Sequence, residues 1–98
     1  MSIKHIVLVK WKTTATVQQR TETISRLLAL PDQIPQIRSY VVEENIGPDA
    51  SNFDLAIMGE FDDVASYEAY RDHPAHQDLI RKSTIPTLET RAAIQISC

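Results

Sequence analysis

The segment IKHIVLVKWK, residues 3–12, decides the fold because it is apolar on both of its faces. In an extended strand, alternate side chains point to opposite sides of the sheet. One face holds Ile3, His5, Val7, Val9 and Trp11. The other face holds Lys4, Ile6, Leu8, Lys10 and Lys12. Apolar residues at the middle of both faces predict a central strand that is covered on both sides.

The residues that follow predict a helix and a second strand. Threonines precede a run with apolar residues at helical spacing, which predicts a first helix over residues 15–30. Pro31 and Pro35 bound a short connection, and the β-branched and aromatic residues of 37–45 then predict a strand. A turn over residues 46–50 separates it from the next strand.

The second half of the chain repeats this alternation. The segment FDLAIMGEF, residues 53–61, is again apolar on both faces and predicts a second central strand. Asp62 and Asp63 can cap the helix that follows. The closing segment ETRAAIQIS, residues 89–97, predicts a fourth strand. Its apolar face consists of Ala92, Ile94 and Ile96.

The segment SYEAYRDHPAHQDLI, residues 66–80, concentrates the residues that can carry chemistry. Tyr67 and Tyr70 stand three apart, so they share one face of a helix. Pro74 lacks a backbone N–H and its ring clashes with the carbonyl four residues back. The helix should therefore break near Asp72.

A second helical piece should begin at Pro74 and continue to about Lys82, with Asp72 or His73 as its cap. This start places His76 in the first turn, where the helix dipole disfavours imidazolium and favours the neutral ring that a general base needs. The spacing permits a pair of Tyr70 and His76. It equally permits a Tyr70 that packs in the core beside histidines on a solvated kink.

Composition sets limits on the class of protein. The chain has 98 residues, 43% of them hydrophobic and 23% charged, which predicts a single domain over residues 1–98. A net charge of -3 without a polybasic run speaks against nucleic-acid binding. The apolar run at residues 6–9 is too short for a signal peptide or a membrane span, so a cytoplasmic location is predicted. The one cysteine, Cys98, excludes a disulfide framework.

The predicted order of elements, β-α-β-β-α-β, is the α+β ferredoxin-like plan, a split βαβ unit. Right-handed crossovers place both helices on one face of the four-stranded sheet and leave the other face bare. We expect the bare face to be covered by a second copy, giving a homodimeric α/β barrel. The residues expected on that face are Val7, Val9, Trp11, Leu55 and Ile57.

Several segments together resemble the stress-responsive dimeric α/β barrel family, Dabb: KHIVLVKWK, IPQIRSY, FDLAIMGEF and YEAYRDHPAHQDLI. The specific part is Lys4-His5 at the start of the first strand combined with Tyr70-x-x-His73-Pro74-x-His76. The resemblance covers nearly the whole chain. It implies a homodimer, and several plant members are stress-induced proteins without assigned chemistry.

Other plant members are polyketide cyclases, and the resemblance implies catalytic roles for three residues. It places the acid and base of an aldol condensation on Tyr70 and His76, and a cavity-facing role on His5. The cyclases have another polar residue in the first helix and a histidine in the third strand. This chain has Leu27 and Leu55 at those places, so the full cyclase constellation is not present.

This resemblance implies three alternative functions, and none of them requires a cofactor. The first is binding of a small apolar or aromatic molecule in the barrel cavity by Val7, Trp11, Leu27, Leu55, Ile57 and His73. The second is a cofactor-independent cyclase or lyase that uses His76 as base and Tyr70 as acid, with His5 orienting the substrate. The third is a cofactor-free monooxygenase with Trp11 beside the substrate.

Cofactor and metal sites find no support in the sequence. Two histidines three apart, His73 and His76, are too few for a metal site without carboxylate help. The only glycines are Gly47 and Gly59, so no glycine-rich loop for a phosphate exists.

Overall fold

The computed structural model describes all residues, 1–98, and confirms the ferredoxin-like order of elements. The strands are β1 (Ile3–Trp11), β2 (Ser39–Glu44), β3 (Leu55–Phe61) and β4 (Leu88–Ser97). The helices are α1 (Val17–Gln33), α2 (Val64–Asp72) and α3 (Pro74–Leu79). A π-helical turn (Ile80–Thr84) and a short helical turn (Ile85–Thr87) link α3 to β4.

The four strands form one antiparallel sheet in the order β2-β3-β1-β4. β1 is central, as its two apolar faces predict, and β3 lies beside it. All three helices pack on one side, where a core of ten buried residues joins the sheet to the helices. The members with the lowest exposure are Phe61, Ile34, Leu30, Val9 and Leu55.

The bounds of α1 differ from the prediction at both ends. Thr16 caps the helix, and a capping box joins it to Gln19: the Gln19 N–H donates to Thr16 Oγ1 at 3.1 Å and the Thr16 N–H to Gln19 Oε1 at 2.9 Å. At the other end the helix continues through Pro31 to Gln33. The last turn persists because Leu30 and Ile34 are fully buried, so packing outweighs the hydrogen bond that proline removes.

The predicted break at Pro74 is confirmed. α2 ends at Asp72 and α3 begins at Pro74, with the extended His73 between them. The regular α-helix of the second piece ends at Leu79, before the predicted end near Lys82, and helical backbone continues through the π-helical turn to Thr87. Such wide turns interrupt regular helices and are frequent near functional sites.

The assignment of the sheet faces was wrong. Val7, Val9, Leu55 and Ile57 were expected on the bare face, but they point toward the helices and are buried within one chain. Trp11 packs partly buried against the same core. The alternating pattern defines two sets of residues correctly, but both sets are apolar, so the pattern could not tell which set the helices cover.

The bare face consists of the alternate residues. In the sheet register Ile6 pairs with Met58 and with Ile94, which places these side chains on the face opposite the helices. The apolar residues of this face are Ile6, Leu8, Val41, Ala56, Met58, Ala92, Ile94 and Ile96. Four of them are large and exposed: Leu8 at 38%, Val41 at 39%, Ile96 at 42% and Ile94 at 56%.

Candidate functional site

A cavity of about 220 Å³ lies between the sheet and the helices of a single chain. Twelve of its nineteen lining residues are hydrophobic, so its walls are mainly apolar. Of the residues predicted to bind a ligand, five line it: Val7, Trp11, Leu27, Leu55 and Ile57. The three residues predicted to be catalytic, His5, Tyr70 and His76, line it as well.

An aromatic cluster forms one wall of the cavity. The ring of Tyr70 lies 4.4 Å from that of His76 and 5.9 Å from that of His5, centre to centre. Tyr67, one helical turn before Tyr70, lies 5.0 Å from His5. Phe61 packs behind Tyr70 at 4.9 Å. The kink at Pro74 therefore brings His76 back over the same helix face that carries the tyrosines.

His76 is held in one tautomer. Its Nδ1 lies 2.9 Å from the backbone carbonyl oxygen of Arg71, and because a carbonyl only accepts, Nδ1 carries the proton. The Nε2 of the neutral ring is then unprotonated. Burial is the main cause that lowers the pKa of His76, and the charge of Arg91 adds to it, whereas the Arg71 carbonyl acts in the opposite direction. The ring is therefore neutral near pH 7.

Tyr70 is 2% exposed and makes a hydrogen bond to Tyr40, with the two hydroxyl oxygens 2.8 Å apart. Burial raises the pKa of Tyr70, while the hydrogen bond to Tyr40 partly offsets that shift. The pKa of Tyr40 is raised as well, chiefly by burial and then by Tyr70. Both phenols stay protonated at neutral pH. When Tyr40 donates to Tyr70, the proton of Tyr70 is free for a ligand oxygen.

His5 is buried, with 4% exposure, at the start of β1. The amide nitrogen of Gln95 on β4 lies 2.9 Å from its Nδ1. Because an amide nitrogen only donates, Nδ1 accepts and the proton of the neutral ring sits on Nε2. Burial is the main cause that lowers the pKa of His5 to about 4, followed by the charges of Arg91 and His76. His5 is thus a neutral hydrogen-bond donor.

His73, which was predicted to bind a ligand, does not line the cavity. Its Nδ1 accepts a hydrogen bond from the Ala75 N–H at 3.0 Å and so caps α3. The physical reason is the position before Pro74, which fixes an extended backbone and turns the ring toward the start of the helix. His73 therefore stabilises the kink between α2 and α3.

Sequence reasoning missed several polar residues at the site, among them Tyr40, Arg91 and Gln95. The sequence does contain a pattern that indicates them. Tyr40 alternates with Val41 on β2, and Arg91 and Gln95 alternate with the apolar set of β4. They became recognisable only when the register placed these alternating sets beside Gly59, Val9 and His5.

The side chains form no metal site, since no group of three or more His, Cys, Asp or Glu residues is placed to hold an ion. None of the helices combines the length and the apolar composition that crossing a bilayer requires.

Solved structures share this fold. A dimeric ferredoxin-like protein of unknown function from Thermobifida fusca is 34% identical, with a TM-score of 0.90 over 100% of this chain and 92% of that chain. A Dabb family protein from Mesorhizobium loti is 22% identical, with a TM-score of 0.85 over 99% and 96% of the two chains. A hydroxynitrile lyase from Passiflora edulis is 19% identical, with a TM-score of 0.87 over 97% and 91%.

At 22% and 19% identity, the last two similarities concern the fold alone. No curated protein matches the sequence. The model of the stress responsive A/B barrel domain, however, matches residues 3–98, which is nearly the whole chain. The chain therefore belongs to the stress responsive A/B barrel domain family, Dabb.

Proposed function

We propose that the protein binds a small apolar or aromatic molecule in the cavity between its sheet and its helices. The observation that carries this proposal is a mainly apolar cavity in which His5, Tyr70 and His76 share one wall. Ligand sites typically combine apolar walls with a few convergent polar groups. Titratable residues with shifted pKa values are a further mark of such sites.

The size of the cavity limits the ligand. A cavity of about 150 Å³ is enough to hold benzene. At about 220 Å³, this cavity fits one substituted ring or a short acyl chain, with less room for a ring system. Leu27 and Leu55 both line it, so two places that are polar in the cyclases are apolar here. These walls favour a ligand that is more apolar than a polyketide.

A second function, cofactor-independent acid–base catalysis of the cyclase or lyase type, is favoured by the tautomer of His76. Its unprotonated Nε2 can take a proton from a carbon acid or a hydroxyl group. Tyr70, supported by Tyr40, can donate a hydrogen bond to the oxyanion that develops. His5, with its proton on Nε2, can orient a carbonyl oxygen. The hydroxynitrile lyase of the same fold is a precedent for lyase chemistry on this scaffold.

The experiment is a screen of neutral phenols, other single-ring aromatics and short acyl compounds by thermal shift, followed by turnover assays of every hit. We expect binding that His76→Ala weakens. If a hit is converted, His76→Ala should lower the rate by roughly 10²–10⁴-fold. The matched control is His73→Asn, which changes a neighbouring histidine outside the cavity and keeps a capping side chain.

The outcomes separate the two functions. Binding that depends on His76 without any conversion supports the binding protein. Conversion that His76→Ala abolishes supports the enzyme. Failure of all compounds to bind, with the wild-type protein folded, would contradict both functions.

We also propose a homodimer that forms through the bare sheet face. Single-chain proteins rarely leave so many adjacent aliphatic side chains in water, and Leu8, Val41, Ile94 and Ile96 are exposed together here. The Thermobifida fusca protein is described as dimeric. A cytoplasmic location and an association with stress remain parts of this proposal.

A further inference from the structure

The charges that line the cavity are all of one sign. The chain as a whole is acidic, with 13 Asp and Glu against 10 Lys and Arg. The charged side chains that line the cavity are nevertheless two arginines, Arg71 and Arg91, and no aspartate or glutamate lines it. A cleft lined by positive charge with low-dielectric walls concentrates anions. The charged residues that line the cavity are thus opposite in sign to the net charge of the chain.

Arg71 already has partners for its charge. Its Nε and Nη2 donate to the two carboxylate oxygens of Asp72 at 3.0 and 3.1 Å. Glu68 lies 3.7 Å from the same guanidinium. A bidentate pair of this kind uses the planar fork of the arginine. Arg71 therefore has little capacity left for a ligand.

Arg91 is different, because it makes no salt bridge and no side-chain hydrogen bond anywhere in the chain. It lies opposite Val9 in the register of β4 and β1, so its side chain is on the cavity side of the sheet. β4 is an edge strand, and Arg91 is exposed to solvent there. All five donors of its guanidinium are available at the open side of the cavity.

The charge of Arg91 acts on the site as a whole. Its positive charge is one of the causes that lower the pKa of His5 and of His76, and it opposes the rise that burial causes in the pKa of Tyr70. Because Arg91 lines the same cavity as Tyr70 and His76, an anion held by Arg91 would place its apolar part among apolar lining residues such as Val7 and Leu55. This placement matches an amphipathic ligand with one charged end.

We infer that the ligand of this cavity carries a carboxylate, which Arg91 binds through its guanidinium fork while the apolar walls hold a single ring or short acyl chain. This inference rests on the proposed function, and it adds the chemical class of the ligand. A carboxylate suits the site because one planar guanidinium matches its two oxygens and one negative charge. Arg91 is then the residue that determines specificity for an acid over its neutral analogue.

The test compares benzoate with benzamide, which have nearly the same size and differ in charge. Titrations followed by two-dimensional amide NMR, at pH 7.5 and low salt, measure both dissociation constants on the 11.1 kDa chain. We expect benzoate to bind roughly 10- to 100-fold more tightly than benzamide. Arg91→Gln should remove this difference, Arg91→Lys should retain part of it, and added salt should weaken benzoate alone.

Arg20 provides the matched control. It is an arginine without a salt bridge on α1 and does not line the cavity, so Arg20→Gln removes the same charge elsewhere. Its benzoate affinity should equal that of the wild type. An equal loss in both variants would show that only net charge matters, and would overturn the role of Arg91.

Two further outcomes keep this inference separate from the proposed function. If the neutral compounds phenol and indole bind in the cavity while benzoate binds no better than benzamide, the preference for an acid is wrong and the binding site stands. If none of the four compounds shifts the amide signals of cavity residues, both the inference and the proposed function fail.

Discussion

The two faces of the sheet are both largely apolar, but they differ in the polar residues that they carry and in whether helices cover them. The covered face carries Val7, Val9 and Ile57, and in addition His5 and Tyr40. The bare face is apolar at its centre and polar at its margins, where Lys4 and Glu60 form a pair at 3.6 Å and where Ser39 and Thr90 also lie. The polar residues His5 and Tyr40 of the covered face thus line the cavity. The bare face, in contrast, leaves aliphatic side chains exposed, among them Leu8, Ile94 and Ile96.

One charged substitution on each face tests this difference. The substitution on the covered face should have the larger effect on the free energy of unfolding. Leu55 is 2% exposed within a single chain. Leu55→Asp buries a carboxylate without a partner and should lower the free energy of unfolding by more than about 4 kcal/mol, enough to unfold much of the protein. Far-ultraviolet circular dichroism and urea titration measure this. A folded variant of near wild-type stability would show that the core assignment is wrong.

The corresponding change on the bare face is Leu8→Asp, next to Val9 in the same strand. Leu8 is 38% exposed in the single chain, so the monomer should keep its fold. A two-fold interface contains the residue twice, and the dimer dissociation constant should rise by about 100-fold or more. Sedimentation velocity over a concentration series measures it.

Val17→Asp is the control for Leu8→Asp, because Val17 is 69% exposed on α1, away from the sheet. It should leave the association unchanged. A wild-type protein that sediments as a monomer at micromolar concentration would remove the dimer from the proposal altogether.

These two faces also show what the sequence could and could not predict. The order of elements and the break at Pro74 followed from local rules, namely alternation, capping and the missing N–H of proline. The choice of face did not, because it depends on where α1 and α2 dock. In β1 both alternating sets contain large aliphatic residues, so Val7 and Leu8 look alike in the sequence.

The site was predictable only in part for a similar reason. Tyr70 and His76 lie in one segment, and their spacing across the proline is a local property. Tyr40, Arg91 and Gln95 reach the site from two edge strands that are far away in sequence. Only the register of the sheet brings them together. Likewise, the extent of α1 beyond Pro31 depended on the burial of Leu30, which is a tertiary effect.

The polar residues of the covered face should make stability depend on pH. His5 has a pKa of about 4 in the folded chain and about 6.5 when unfolded. The unfolded chain therefore binds more protons between these values, so the stability present above pH 6.5 is lost as the pH falls toward 4. We expect a loss on the order of 2 kcal/mol, with His76 acting in the same direction.

Urea titrations at several pH values between 4 and 7.5, at one fixed protein concentration, measure this dependence. His5→Gln should flatten the curve, because the variant loses the group that must take up a proton on unfolding. A wild-type protein equally stable at pH 4.5 and 7 would show that His5 is more accessible to water than its 4% exposure indicates.

The smallest effect concerns Gly59, which lies between His5 and Tyr40 in the sheet register. A Cβ at this position would lie 3.1 Å from Tyr40 Cδ1 and 3.2 Å from Phe61 Cε2, closer than ordinary contact. Gly59→Ala should therefore displace the Tyr40 ring by a few tenths of an ångström and weaken its hydrogen bond to Tyr70. The strain opposes the gain from restricting the unfolded chain, so the net loss of stability should be about 1 kcal/mol.

A double-mutant cycle with Tyr40→Phe isolates this effect. Tyr40→Phe removes the hydroxyl and keeps the ring. The steric cost of Gly59→Ala is therefore the same in the wild type and in the Tyr40→Phe variant. The cost of the weakened hydrogen bond arises only in the wild type, because the variant has no such bond to lose. We expect the double variant to be more stable than the sum of the two single losses implies. Strict additivity would mean that the methyl group leaves the bond between Tyr40 and Tyr70 intact, and that the polar wall of the cavity does not depend on the absence of a side chain at Gly59.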